Sequence, residues 1–182
     1  MKLIILDRDG VINEDSDEFI KTPEEWLPIP GSLSAIARLN QAGYRIVIAT
    51  NQSGLGRGLF SIDQLNAIHR KMLQAIVNEG GQIHGIFFCP HAPKEHCDCR
   101  KPKPGLFQQI SERFYCDLSD VPCIGDSLRD LQAASAVGGQ PILVRTGKGQ
   151  RTENDPELLP TIPVYNNLTE AVDALLFEES TN

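Results

Sequence analysis

Leu3-Ile4-Ile5-Leu6-Asp7-Arg8-Asp9-Gly10 is the stretch from which the rest of the chain can be read. Four consecutive apolar residues with no polar alternation suit a strand covered on both faces, as in a parallel sheet. Gly10 then permits a sharp exit, and Asp7 and Asp9, two residues apart, point to the same side as the chain leaves the sheet. A lone D-x-D closes many ordinary turns. Here three further polar clusters follow three further apolar runs.

Outward from this strand, apolar runs recur at 45–49 (RIVIA), 83–88 (IHGIFF), 121–124 (VPCI) and 141–145 (PILVR), with a weaker one at 162–165 (IPVY). Helical patterns lie between them at 32–42, 61–79, 104–115, 127–137 and 168–178. Ser32, Ser61 and Thr169 signal helix starts, and Gly43, Gly80-Gly81 and Gly138-Gly139 signal helix ends. Strands alternating with helices in this way predict an α/β fold, a parallel sheet with helices on both faces. The expectation is one domain over residues 1–182. Two irregular stretches, 13–31 and 89–104, are long for connections in a compact domain, and such loops tend to carry function. Ligands of open parallel sheets bind beyond the carboxyl ends of the strands, where every cluster described below falls.

Composition narrows the partners. With 17 Lys and Arg against 24 Asp and Glu, the net charge of −7 argues against nucleic acid held by bulk electrostatics. No apolar run approaches a membrane span, and a chain that opens directly on a strand leaves no room for a signal peptide. A cytoplasmic monomer acting on a small molecule, with no membrane partner, is expected. Three of the five cysteines fall within residues 89–99, which reads as metal binding rather than a disulfide framework. Cys116 and Cys123 read as small, buried or half-buried thiols.

The second cluster, Thr50-Asn51-Gln52-Ser53, follows RIVIA directly. A hydroxyl and successive N–H groups at a strand end can hold phosphoryl oxygens, with Gly54, Gly56 and Gly58 admitting a close backbone approach. The third is Arg100-Lys101-Pro102-Lys103-Pro104-Gly105, a cationic run stiffened by proline in an acidic protein. The fourth is Gly125-Asp126-Ser127, with Asp130 one turn on. Carboxylates from two strand ends suit Mg²⁺, a hard cation that takes oxygen ligands and bridges to phosphate. Asp7 could then attack phosphorus, and Asp9 could protonate the leaving oxygen and later activate water. Thr50 and Lys101 would stabilise the transferring group.

The order D-x-D-G, T-N, R-K-P, G-D resembles the haloacid dehalogenase (HAD) superfamily along nearly the whole chain. That resemblance implies a Rossmann-like, HAD-type sheet without a large cap domain. It also implies Asp7 as nucleophile, Asp9 as general acid and base, Thr50 and Lys101 on the phosphoryl group, and Mg²⁺ on Asp7, Asp9 and Asp126. Asp130 would stand behind the ligands.

Between the second and third clusters, Cys89, His91, Cys97 and Cys99 supply a complete Cys₃His set for structural Zn²⁺ in the 89–104 loop. His96 beside Cys97 reads as solvated, and His69 and His84, with no partner cluster in the sequence, read as structural. With this loop the chain is similar to the bacterial D-glycero-D-manno-heptose 1,7-bisphosphate 7-phosphatase family and, next, to histidinol-phosphate phosphatases. The nearer resemblance implies removal of the 7-phosphate to leave heptose 1-phosphate, on the route to lipopolysaccharide and other surface glycans. It further implies substrate contacts from Arg100, Asn51, Gln52, Ser53 and Ser127, with Asp15, Ser16, Asp17 and Glu18 over the sugar. The non-enzymatic alternative is a zinc-stabilised binding module on a HAD scaffold; five intact site residues argue against it.

Overall fold

The computed structural model describes residues 1–181. In chain order its elements are β1 (Leu3–Leu6), α1 (Ser32–Gln41), β2 (Arg45–Asn51), α2 (Ser53–Gly56), α3 (Ile62–Asn78), β3 (Gly85–Cys89), α4 (Gly105–Phe114), β4 (Pro122–Gly125), α5 (Leu128–Ser135), β5 (Gln140–Val144), α6 (Gly149–Glu153), β6 (Val164–Tyr165) and α7 (Leu168–Ser180). The six strands form one sheet in the order β3-β2-β1-β4-β5-β6, every pair parallel. This is the α/β architecture expected from the alternation of strands and helices, a parallel sheet with helices on both faces.

Alternation along each buried strand divides the core in two. Ile4, Leu6, Ile46 and Ile48 pack with Ile36 of α1, Ile68, Met72 and Ile76 of α3, and Val172 of α7. Leu3, Ile5, Val47 and Ala49 face the other way, against Leu106, Phe107 and Ile110 of α4 and Ala133 and Ala134 of α5. Strand order reverses at β1, which lies between β2 and β4, so the carboxyl ends of these three strands open one crevice. A bond of 2.9 Å from the Asp7 N–H to the Ile124 carbonyl holds the β1 and β4 ends together.

The structure departs from the sequence expectations at element ends. β3 begins at Gly85 rather than 83 because the His84 ring takes over a ladder acceptor: Ile46 N–H donates to His84 Nδ1 at 3.1 Å. The cap of α7 is Asn167, whose side chain accepts from Glu170 N–H at 3.0 Å, and not Thr169. Ser61 does cap α3, in a reciprocal capping box with Gln64. The short helices α2 and α6 have no counterpart in the sequence reading, since four or five residues cannot establish a helical period. Among the described residues no helix is long and apolar enough to cross a membrane.

Candidate active site

β1 delivers Asp7 to the centre of the crevice, where it meets a cation and two more carboxylates. Lys101, fully buried, places Nζ 3.0 Å from Asp7 Oδ1, 2.6 Å from Asp130 Oδ1 and 2.7 Å from the Ala49 carbonyl. The Asp7 contact is an ion pair outside hydrogen-bond geometry, which leaves Oδ1 without a hydrogen-bond partner. Reciprocal bonds of 3.1 Å between the Asn51 side-chain amide and the Lys101 backbone fix the lysine on the end of β2. β4 brings Asp126, whose Oδ2 accepts from Lys148 N–H at 2.7 Å. Gly147, at φ +57°, allows this approach, since a Cβ there would strike the Asp126 carboxylate. Asp130 Oδ2 accepts from Ser127 N–H and Oγ at 3.0 and 2.7 Å.

Lys101 therefore pairs with two of the three carboxylates and leaves Asp126 without a cationic side chain of its own in the cluster. Burial lifts the Asp7 carboxyl to about 7, with Lys101 pulling it down and Asp130 and Asp9 pushing it further up. Burial again, with Asp130 and Asp7, lifts Asp126 to about 8. Burial also works against the charge of Lys101, yet Asp130 and Asp7 hold its pKa above the ordinary lysine value. Oxygens of Asp7, Asp126 and Asp130 lie within 4.8 Å of one another, an all-oxygen set short of positive charge.

Asp9 occupies a different environment two residues away. Its Oδ1 accepts from Arg8 Nε and Nη2 at 3.1 and 2.9 Å and from Asn13 Nδ2 at 2.9 Å. Its Oδ2 accepts from Arg8 Nη2 at 3.0 Å and Gln52 Nε2 at 2.9 Å. Burial raises its pKa, but Arg8, Asn13 and Gln52 outweigh burial and hold the carboxyl below its ordinary value. Gln52 also donates to Thr50 Oγ1 at 2.9 Å, joining the ends of β1 and β2. Asp9 stands outside the carboxylate set, and a place there for its side chain would cost it one of these donors.

A cavity of about 220 Å³ opens over these groups. Asp7, Asp9, Asp15, Ser16, Asp17, Thr50, Asn51, Gln52, Ser53, Arg100, Lys101, Asp126 and Ser127 all line it; Glu18 is exposed and stands outside the lining. Arg100 Nη1 is buried there without a hydrogen-bond partner. Burial, then Arg129 and Arg57, depress the Arg100 pKa, so three guanidinium groups converge on the wall. Arg57, Arg129 and Lys148 escaped the sequence reading. Lys148 had a signal, since it follows β5 as Asp126 follows β4, but TGKGQ carries no acidic or hydroxyl pair to mark it. Lys148 Nζ pairs with Asp15 Oδ2 at 2.9 Å, and Arg57 sits 5.7 Å over the Phe19 ring, so both flanks of the 15–19 segment are held against the cavity.

Two of the three glycines after Thr50 serve a different neighbour from the one expected, and Gly58 has open space around it. A Cβ on Gly54 would strike the Phe60 ring, and one on Gly56 would strike Ala92, Glu95 and Pro90. Gln52 and Gly56 N–H donate to the Cys89 and Pro90 carbonyls, both at 2.8 Å. The Thr50 segment and the 89–104 loop thus lie backbone to backbone. Within that loop Cys89, His91, Cys97 and Cys99 converge: Sγ to Sγ is 3.5 Å for Cys89–Cys97 and Cys97–Cys99, and His91 Nδ1 is 3.7 and 3.3 Å from Cys89 and Cys99. A tetrahedral zinc with Zn–S near 2.3 Å has S···S edges of about 3.8 Å, so this set is compatible with zinc. His96 is exposed and outside the group. Lys103 braces the same loop, Nζ donating to the Cys97 carbonyl at 2.9 Å.

The fold and this strand-end site define a HAD-like hydrolase. A family model described as "HAD-hyrolase-like" matches residues 98–171, and one described as polynucleotide kinase 3 phosphatase matches residues 2–127. The chain belongs, more particularly, to the D-glycero-beta-D-manno-heptose-1,7-bisphosphate 7-phosphatase family. It is 54% identical to the member from Bordetella bronchiseptica, covering 98% of this chain and 99% of that protein. Its identity to the Neisseria meningitidis serogroup A member is 49%, over 99% and 97%. The crystal structure of the Bordetella bronchiseptica D,D-heptose 1,7-bisphosphate phosphatase, complexed with magnesium and phosphate, superimposes with a TM-score of 0.96, covering 98% of this chain and 99% of that one.

Proposed function

We propose that this chain, acting as one cytoplasmic domain, hydrolyses the 7-phosphate of D-glycero-D-manno-heptose 1,7-bisphosphate. The observation that carries the reading is the pairing, in one cavity, of Asp7 beside Lys101 with a separate cluster of Arg57, Arg100 and Arg129. One phosphate is attacked at Asp7, and the other has guanidinium groups to meet it. Histidinol phosphate would bring a cation to the same wall, which disfavours it. Membership of the family over the full chain supports the same choice.

Asp7 attacks phosphorus, the bond to the sugar oxygen breaks, and Asp9 delivers a proton to that oxygen, leaving phosphate on Asp7. Asp9 then takes a proton from water as the water attacks phosphorus and frees Asp7. The Arg8, Asn13 and Gln52 donors keep Asp9 ionised in the free protein, the state the second half needs; the incoming phosphate dianion raises its proton affinity for the first. Thr50 and Lys101 both line the cavity, where their Oγ1 and Nζ would meet the transferring oxygens. Asp7 and Asp126, with Asp130 behind them, would hold Mg²⁺, which screens repulsion between an anionic nucleophile and an anionic substrate. Cys89, His91, Cys97 and Cys99 would hold Zn²⁺ in a closed site whose work is to order the loop that presents Arg100 and Lys101.

The test is steady-state kcat/KM with Mg²⁺ for heptose 1,7-bisphosphate against histidinol phosphate. A clear preference for the bisphosphate is expected. Equal or reversed preference overturns the substrate assignment.

A further inference from the structure

His69 lies on α3, 61 residues from Arg8, and the fold brings its Nε2 to 3.2 Å from Arg8 Nη1. Arg8 is fully buried and His69 nearly so. A guanidinium has no acceptor, so in this contact the imidazole nitrogen accepts and the proton sits on Nδ1. Burial and the charge of Arg8 hold the His69 pKa down to about 4, so the ring is neutral near pH 7. The other side of the same guanidinium grips both oxygens of Asp9. The His69 ring is itself wedged edge-on against Phe88 of β3, with centroids 6.3 Å apart. A continuous line of contacts therefore runs from β3 through His69 and Arg8 to Asp9.

We infer that His69 is a positioning residue for proton transfer: by accepting from Nη1 it fixes the plane of the Arg8 fork, and the fork fixes where Asp9 points. The inference rests on the reading of Asp9 as the acid and base. A buried guanidinium that loses one acceptor seeks another, and the nearest rotation carries Asp9 with it. The requirement is for an acceptor at this place, not for an imidazole.

The test exploits leaving groups. A sugar alkoxide needs a proton as it departs, whereas p-nitrophenolate does not. His69→Leu should lower kcat on the sugar bisphosphate by about tenfold, a fraction of the loss from removing a general acid outright, with KM little changed. Its loss on p-nitrophenyl phosphate should be far smaller. His69→Gln, which restores a neutral acceptor, should recover most of the activity. Parallel loss on both substrates, no loss on either, or failure of glutamine to rescue overturns the inference. If the leucine variant does not fold, as thermal unfolding would reveal, Arg8→Lys keeps the cation without the fork and must give the same selective loss. Asp9→Asn run alongside separates the two readings: without leaving-group sensitivity there, the role of Asp9 fails, and with it only there, the role of His69 fails alone.

Discussion

The carboxylate cluster and the Cys/His cluster stand on either side of Arg100-Lys101 and differ in how complete they are. The thiols and imidazole already sit near the edge lengths of a tetrahedron, within one short loop. The carboxylates come from two strand ends and a helix, have one lysine shared between Asp7 and Asp130, and have two members pushed up to about 7 and about 8. The first cluster is built to be closed. The second is held open electrostatically, which suits a site that must accept an anion and let it go. Lys101 belongs to the open cluster, and Arg100 leans on the closed one.

The largest effect should come from breaking the open cluster at its nucleophile. Asp7→Asn is close to isosteric but cannot attack phosphorus, and turnover should fall by roughly a thousandfold or more while the fold persists. Circular dichroism and steady-state rates together check this. Activity near that of the parent would remove Asp7 from the mechanism.

Next comes the division between the two neighbours. Lys101→Ala should cost on the order of a hundredfold or more on both sugar and aryl phosphates, because it deletes charge at the reacting centre. Arg100→Ala should fall mainly on the bisphosphate and largely spare p-nitrophenyl phosphate. Identical losses on both substrates would merge the two roles. A smaller, indirect loss is expected from Cys99→Ser: a displacement of about 1 Å at Arg100-Lys101 can cost up to a hundredfold in rate. The same variant should expose the 89–104 loop to proteolysis. Zinc content after a mild EDTA wash should stay at about one per parent chain and fall in the variant.

Much of this comparison is legible in the chain itself, because both clusters are local in sequence or attached to strand ends. LIILDRDG, RIVIATNQ and PCIGDS each announce a strand and its polar terminus together. What escaped is whatever depends on separation. His69 lacks a partner in the sequence because Arg8 is 61 residues away. Arg57, Arg129 and Lys148 stand in ordinary polar surroundings and acquire meaning only when the end of α2, the start of α5 and the start of α6 meet over one cavity. Gly56 looked like an opening for phosphate, yet its missing side chain makes room for Ala92 and Pro90, a packing fact that no local pattern encodes.

The smallest effect is thermodynamic and bears directly on the open cluster. Asp7 and Asp126 have folded pKa values of about 7 and about 8 against an ordinary 3.8, so in the metal-free protein the fold binds protons that the unfolded chain has released. Stability from these groups is fully present below pH 3.8 and is lost as pH rises through 7 and 8. His69, depressed from 6.5 to about 4, contributes in the opposite sense, but only below 6.5. The depressed Asp9 and Asp130 act only below their ordinary 3.8. Above about pH 7 Cys97, lowered to about 7, works against Asp7 and Asp126, so between about pH 6.5 and 7 the carboxylate cluster dominates and Tm of EDTA-treated protein should fall as pH rises, by roughly 2–4 °C for each kcal/mol lost. Mg²⁺ binds the ionised carboxylates and displaces their protons, so it should raise Tm more at the upper end of this window than at the lower. In Asp126→Asn both the pH slope and the Mg²⁺ increment should shrink. A metal-free Tm that climbs with pH across the window, or an Mg²⁺ increment independent of pH, would mean that the carboxylates are not held open by their own repulsion.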